Sequence, residues 1–377
     1  MRYRLETRDA AVGVEDGRIV APEGRFDLSV DLGDAQLRAG LINAHDHLHR
    51  NHYPRFGTPR YEDAYAWGRD LHARHAAGIA RARALPRRDA LLFGALKNLV
   101  GGVTHVLHHD AWEPDFERDF PLSVVRVRCV HSTGFDARGV AAAAAQARSG
   151  HVATPLTIHV AEGVNAAAAE EVRTLDDAGL LDSALLAVHA IGVDDDGVAR
   201  LHRAGAATVW CPTSNLFLYG RTAPAALLAG GDVLLGTDAL LSGAGTLLDE
   251  LRAARSLALV DDDRLADAVG RVAARRLGIG GYGRGGNGMV PGAPADIVAL
   301  RRPLLESAAQ HVALVVCGGV PRIGDAELAP LFEVAGVDSG ELCVGGTPRR
   351  VARPLDAVAR RVLDEWPECG RILAATG

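Results

Sequence analysis

Two rhythms divide this chain. Short apolar runs, many of them β-branched, occur at Gly40 to Ala44, Thr104 to Leu107, Leu122 to Val130, Leu156 to Val160, Leu185 to His189, Thr208 to Cys211 and Val233 to Thr237. Bounded by glycine, proline or charge, they predict strands buried on both faces. Between them apolar positions recur at helical spacing, near 87 to 100, 141 to 147, 165 to 179, 194 to 204, 223 to 229, 246 to 258 and 262 to 277. Strand and helix in alternation predict a parallel sheet. Seven such strands suit a closed (β/α)8-type TIM barrel, an α/β fold, better than an open sheet.

The flanks have another texture. Residues 1 to 38 read as short strands joined by turns at Glu15-Asp16-Gly17-Arg18 and Pro22-Glu23-Gly24, and the same pattern returns at Met289 to Leu300 and His311 to Gly318. Neither flank can bury a core alone. The expected organisation is a composite β-sandwich from 1-38 with 288-350, a barrel over 39-287, and a C-terminal helix within 351-377. Arg50 to Leu71, polar and aromatic, is expected to be an ordered loop lying over the mouth of the barrel.

Composition narrows the class. At 377 residues the chain exceeds the size at which one core stops growing, so a large and a small domain are expected. A net charge of -6 and a pI near 6.2 give no polybasic footprint for nucleic acid or an anionic membrane. No apolar window is long enough for a membrane span, and the acids near Met1 do not fit a signal peptide. Five scattered cysteines without C-x-x-C spacing fit a reduced, cytoplasmic protein. Lys97 is the sole lysine.

Candidate chemistry gathers at strand ends, where barrel enzymes build their sites. His45 and His47 end the first run; two apart on a strand, they point the same way and can reach one ion. His49 shares that parity beyond the strand end. His159, followed by Glu162, ends the Leu156 run; His189 and Asp238 end two later ones. Three imidazoles and a carboxylate suit a borderline divalent cation, Zn²⁺ or Fe²⁺. Singly, each residue could also be a core histidine, a helix-terminal residue or an N-cap.

Six segments, Gly40 to His47, His159-Val160-Ala161-Glu162, Val188-His189-Ala190, Cys211 to Leu216, Leu235 to Asp238 with Ser242, and Pro291 to Asp296, jointly resemble the amidohydrolase superfamily. The resemblance is to its mononuclear deaminase and chlorohydrolase branch, which includes cytosine, guanine and S-adenosylhomocysteine deaminases. It implies one divalent metal, zinc before iron, held by His45, His47, His159 and Asp238. It implies too that Glu162 shuttles a proton, that His189 orients the nucleophile or the developing oxyanion, and that Asp238 doubles as a base. A bridged two-metal site in this superfamily uses a carboxylated lysine from a middle strand; Lys97, on a helix before the second strand, does not fit, so one metal is expected. Relatives are commonly dimers or larger. Between Val130 and His159 there is room for one helix where relatives place an extra strand-helix unit, so a fourth strand is missing from this reading.

Candidates for holding a small-molecule substrate are Tyr53, Arg55, Tyr65, Trp67, Trp112 and Asn215 with Phe217, since aromatics stack on flat rings and arginine clamps anions. His108, His109 and Asp110, with His131, are read as substrate contacts, partners of the ligands, or ligands of a second ion. Ser214 and Ser242 lack a base other than His189, which argues against a serine nucleophile, and Cys211 reads as structural. The expected activity is deamination of an N-heterocycle. Ring opening of a cyclic amide and a silent scaffold are the alternatives.

Overall fold

Apolar runs become strands where their periodicity puts them, and the strands sort into parallel sheets. The computed structural model describes residues 1–149, 154–283 and 288–374. One parallel sheet orders Leu41–Asp46, Val103–His108 and Ser123–Val124; another runs Val233–Leu235, Ala207–Trp210, Leu185–His189, Leu156–Val160 and Arg128–Ser132. His45 joins their facing edges. Its carbonyl accepts the amides of Thr237 (3.0 Å) and Asp238 (3.1 Å). Gly236 permits this approach, since a Cβ there would lie 2.5 Å from that of His45.

The run at Leu122 to Val130 departs from expectation. It forms two short pieces, Ser123–Val124 and Arg128–Ser132, separated at 125–127. The first pairs with the His108 strand and the second with the His159 strand, so one extended segment serves two sheets. Among the described residues no separate strand lies between Ser132 and Leu156, only the helix Ala137–Arg148. Unlike its neighbours, this segment is largely half-exposed.

Helices Arg87–Val100, Ala166–Asp177, Asp195–Ala204 and Leu247–Leu257 stand where helical spacing predicts them. Several begin on a side-chain cap, as Asn165 for Ala168 and Asp194 for Gly197. The span 262 to 277 is two helices, Asp262–Ala268 and Arg271–Leu277, interrupted at Gly270. The cover is more regular than a loop. Ala64–Arg74 and Ala76–Arg83 are helical, the first capped by the Asp63 carboxylate on the Ala66 amide at 2.7 Å.

Strands of the two flanks pair with one another. Gln36–Ala39 pairs antiparallel with Ile297–Leu300 in a six-stranded sheet, while Arg2–Glu6, Ala11–Glu15, Arg18–Val20 and Leu28–Asp31 form a four-stranded one. The two sheets share an apolar cluster of Tyr3, Leu5, Val14, Ile297, Leu314 and Val316. Met289 to Leu300 is a strand only over Ile297–Leu300, and the hairpin Ser339–Val344 with Thr347–Ala352 was not foreseen. Leu355–Glu365 is the expected last helix; its Leu355, Val358 and Val362 belong to the large core with Leu91 and Leu96 of Arg87–Val100.

Candidate metal centre

Period two on the first strand separates two jobs. His45 and His47 face the mouth, while Asp46 between them turns the other way and is fully buried. Asp46 accepts from Asn51 (2.8 Å) and Asn98 (2.7 Å) and pairs with Lys97 at 3.2 Å. The Lys97 ammonium also donates to Asn51, to Thr237 and to the carbonyl of Asp238 at 2.7 Å. The only lysine therefore lies beneath the site, clamping the strand end that carries Asp238.

Above this floor the metal-capable side chains converge. Donor atoms of His45, His47 and His159 lie within 4.8 Å of one another, and so do those of His45, His189 and Asp238, and of His159, Glu162 and His189. The Asp238 Oδ1 is 3.7 Å from the Nε2 of both His45 and His47; Glu162 Oε1 is 3.8 Å from His189 Nε2. Backbone geometry aims them. Ala161, His189, Ala190 and Asp238 have φ of 51°, 67°, 51° and 53°, a left-handed conformation that costs non-glycine residues energy and concentrates at functional sites.

Hydrogen bonds leave the outward nitrogens free for an ion. His109 Nε2 donates to the Val130 carbonyl at 3.0 Å, so a neutral His109 accepts at Nδ1 from His45 Nδ1, 3.2 Å away. His45 Nε2 is then a bare lone pair, buried and without a partner. His159 Nδ1 donates to the His131 carbonyl (2.6 Å) and His189 Nδ1 to Asn215 Oδ1 (2.8 Å), freeing their Nε2 atoms likewise. A donor set of orphaned imidazoles beside a carboxylate fits a divalent cation.

Burial holds His45, His47 and His159 below the ordinary histidine range, that is, in the neutral form a metal requires. Burial raises the Asp238 carboxyl, but the donors around it, Ser242 among them, bring it down and keep the group ionised. Its oxygens accept from Ser214 (2.8 Å), Ser242 (2.7 Å) and the Ala239 amide. Glu162 is pushed up to about 6, chiefly by burial.

The cluster opens into a cavity of about 400 Å³. Of the substrate candidates, Trp67 and His131 line it. Tyr53 is packed against Ile79 and Leu241, Arg55 donates to the Gly243 carbonyl over the Phe217 ring, and Asn215 holds His189. Tyr65 donates to Glu171, which also accepts the Ala161 amide. His108, whose Nδ1 accepts the Leu48 amide, lines a neighbouring hollow with His109 and Trp112; Trp112 donates to Glu117. Tyr219, which donates to Glu162 at 2.8 Å, was missed. Its helix, Pro212–Tyr219, had a readable signature, proline at the first turn and Gly220 just past the end with φ 65°.

Parallel strands with ionisable residues at their tips over a cavity have the layout on which barrel enzymes build their sites. Similarity to known proteins is segmental in sequence and nearly complete in fold. No family model matches the chain. It is 46% identical over 74 residues to the aminodeoxyfutalosine deaminase of Deinococcus radiodurans (19% of this chain, 18% of the relative). It is 35% identical over 117 residues to the 5-methylthioadenosine/S-adenosylhomocysteine deaminase of Pyrococcus furiosus (28% of this chain, 27% of the relative). These matches thus span under a third of either relative's length. A zinc-bound adenosine deaminase from Xanthomonas campestris superposes with TM-score 0.68 at 20% identity, covering 97% of this chain and 98% of that one. Zinc-complexed atrazine chlorohydrolase from Arthrobacter aurescens gives 0.64 at 18%, covering 85% and 94%. Segments of the chain are thus similar to these deaminases, and its fold is that of the adenosine deaminase and chlorohydrolase structures. Among the described residues no helix is long and apolar enough to cross a membrane.

Proposed function

We propose that the chain is a metal-dependent hydrolase of C–N bonds, an aminohydrolase releasing ammonia from a small N-heterocycle. The observation that carries this is Glu162, a carboxyl largely shielded from solvent and 3.8 Å from His189 at the edge of the histidine cluster, inside one cavity. A divalent cation on His45, His47, His159 and Asp238 would supply Lewis-acid chemistry, lowering the pKa of water toward neutrality. Zinc is our reading of the ion over iron, supported by the borderline donor set and by zinc in the neighbouring folds.

The chain's own residues handle the proton. Glu162, near 6 and held by Tyr219, takes it from the attacking water and delivers it to the nitrogen that departs. Water oxygen bonds to the ring carbon, and the amino group leaves as ammonia. His189, its Nδ1 proton engaged by Asn215, offers Nε2 to the same water. Aminopurine nucleosides head the substrates to screen, because the relatives' names are those of deaminases of such compounds.

Elemental analysis with an ammonia-release assay tests this reading. About one equivalent of zinc is expected, lost when His45 and Asp238 are both replaced by alanine. Glu162→Gln should keep the zinc and lose at least about 10²-fold in kcat. Unchanged turnover in that variant would refute the role of Glu162, and hydrolysis without ammonia would move the reading to cyclic-amide ring opening.

We further infer that the two parallel sheets are arcs of one (β/α)8-type barrel spanning 39-287, supported by the His45 bonds to Thr237 and Asp238. Segments 1-38 and 288-350 would form the small β-sandwich, with 351-377 as a C-terminal helical segment. A cytoplasmic homodimer remains our expectation; light scattering would test the dimer.

A further inference from the structure

The metal-side cavity has a neighbour. A second hollow of about 430 Å³ shares Arg50, Leu71, His72 and Leu241 with it, so Arg50 stands at their common border. This second hollow is basic. Arg83, Arg87 and His49 join Arg50 and His72 around it, and no carboxylate is among its lining residues.

The charges there are only partly engaged. Arg87 pairs with Glu113, whereas Arg50 reaches Asp110 at 3.9 Å, with its Nε donating to His49. Among the described residues Arg83 has no carboxylate partner. Acids lie elsewhere in the first cavity, Glu162 and Asp238 at its floor and Asp136 in its wall capping Gly139. The joint space is thus polarised, with hydrolytic groups at one part and an under-paired guanidinium at the other.

Resting on the aminohydrolase reading, we infer that the substrate is an aminoheterocycle bearing an anionic arm, phosphate or carboxylate. Arg50 receives that arm at the border of the two hollows, with Arg83 behind it, while the amine-bearing ring faces Glu162 and His189. A guanidinium offers two parallel N–H donors to either oxyanion, which makes Arg50 a specificity-determining residue. Two adjoining hollows of this size are in the range that encloses a nucleotide-sized ligand.

Two measurements on the zinc-loaded full chain test this. In the first, inorganic phosphate and acetate are titrated calorimetrically into the protein and into Arg50→Leu, Arg83→Leu and Arg50→Lys. The leucine variants should keep their zinc and bind the preferred anion at least tenfold more weakly, with Arg50→Lys intermediate. Which anion binds more tightly identifies the arm. Absence of anion binding, or binding unchanged in both leucine variants, overturns the proposal, since the ion would then sit elsewhere. In the second, ammonia release is compared for one aminopurine nucleoside, its phosphate ester and its carboxylate derivative. A charged member should exceed the neutral one at least tenfold in kcat/KM, and Arg50→Leu should close that gap mainly through KM. Equal or faster turnover of the neutral compound sinks the anionic arm and leaves the aminohydrolase reading standing. If no aminoheterocycle, charged or neutral, yields ammonia, that reading falls, and the anion titration still decides whether the basic hollow binds.

Discussion

His109 shows how much of this site is decided by residues that never face the cavity. By donating to Val130 and accepting from His45, it fixes which His45 nitrogen points outward. Replacing His109 with leucine should therefore weaken zinc binding by about 10- to 100-fold, read in a competition titration with a chromophoric chelator. Unaltered affinity would mean that the His45 ring is held by packing alone. The convergence of the proposed ligands was legible because strand alternation puts His45 and His47 on one face. Tyr219 was not, and for His109 the sequence left substrate contact, partner and second-ion ligand open, since their roles depend on Val130, His45 and Glu162, which reach them through the fold and not along the chain.

Elements were legible where a run of apolar residues is buried on both sides, as at Leu156–Val160 and Leu185–His189. They were less so where burial is incomplete. The Leu122 to Val130 run reads as one strand because its apolar residues are contiguous, yet only contact with two different neighbours divides it at 125–127. Ala64–Arg74 escaped notice because its exposed face is polar and its aromatics suggested a loop, although Asp63 before Ala64-Tyr65-Ala66 was a cap signal. Asp63 also accepts from Asn165, and the Ala64 amide donates to the Glu162 carbonyl, so the cover helix is tied to the strand end bearing Glu162. Asp63→Ala should cost about 1 kcal/mol in urea unfolding. It should also raise KM more than it lowers kcat, because the cover holds Trp67 over the cavity while the donors below stay in place.

At the scale of the whole molecule, a buried acid sets a pH response. Glu250 accepts from the Thr213 amide at 3.1 Å, and burial pushes its carboxyl up to about 8. In the unfolded chain it would titrate near about 4.3. The folded state thus holds a proton that the unfolded state has released, and its contribution to stability is full below about pH 4.3 and fades as pH rises through 8. Glu250→Gln should flatten the fall of the urea midpoint between about pH 5 and 8; an equal fall in both proteins would assign the effect to another group.

Lys97 has one more implication, for what the surface lacks. As the only lysine in the sequence and fully buried, it leaves the folded exterior with no side-chain primary amine. Amine-directed reagents should modify the native protein at the chain terminus alone. A second acylated position would appear only when the floor beneath Asp46 and Asp238 opens, so its rate of labelling clocks the breathing of the site itself.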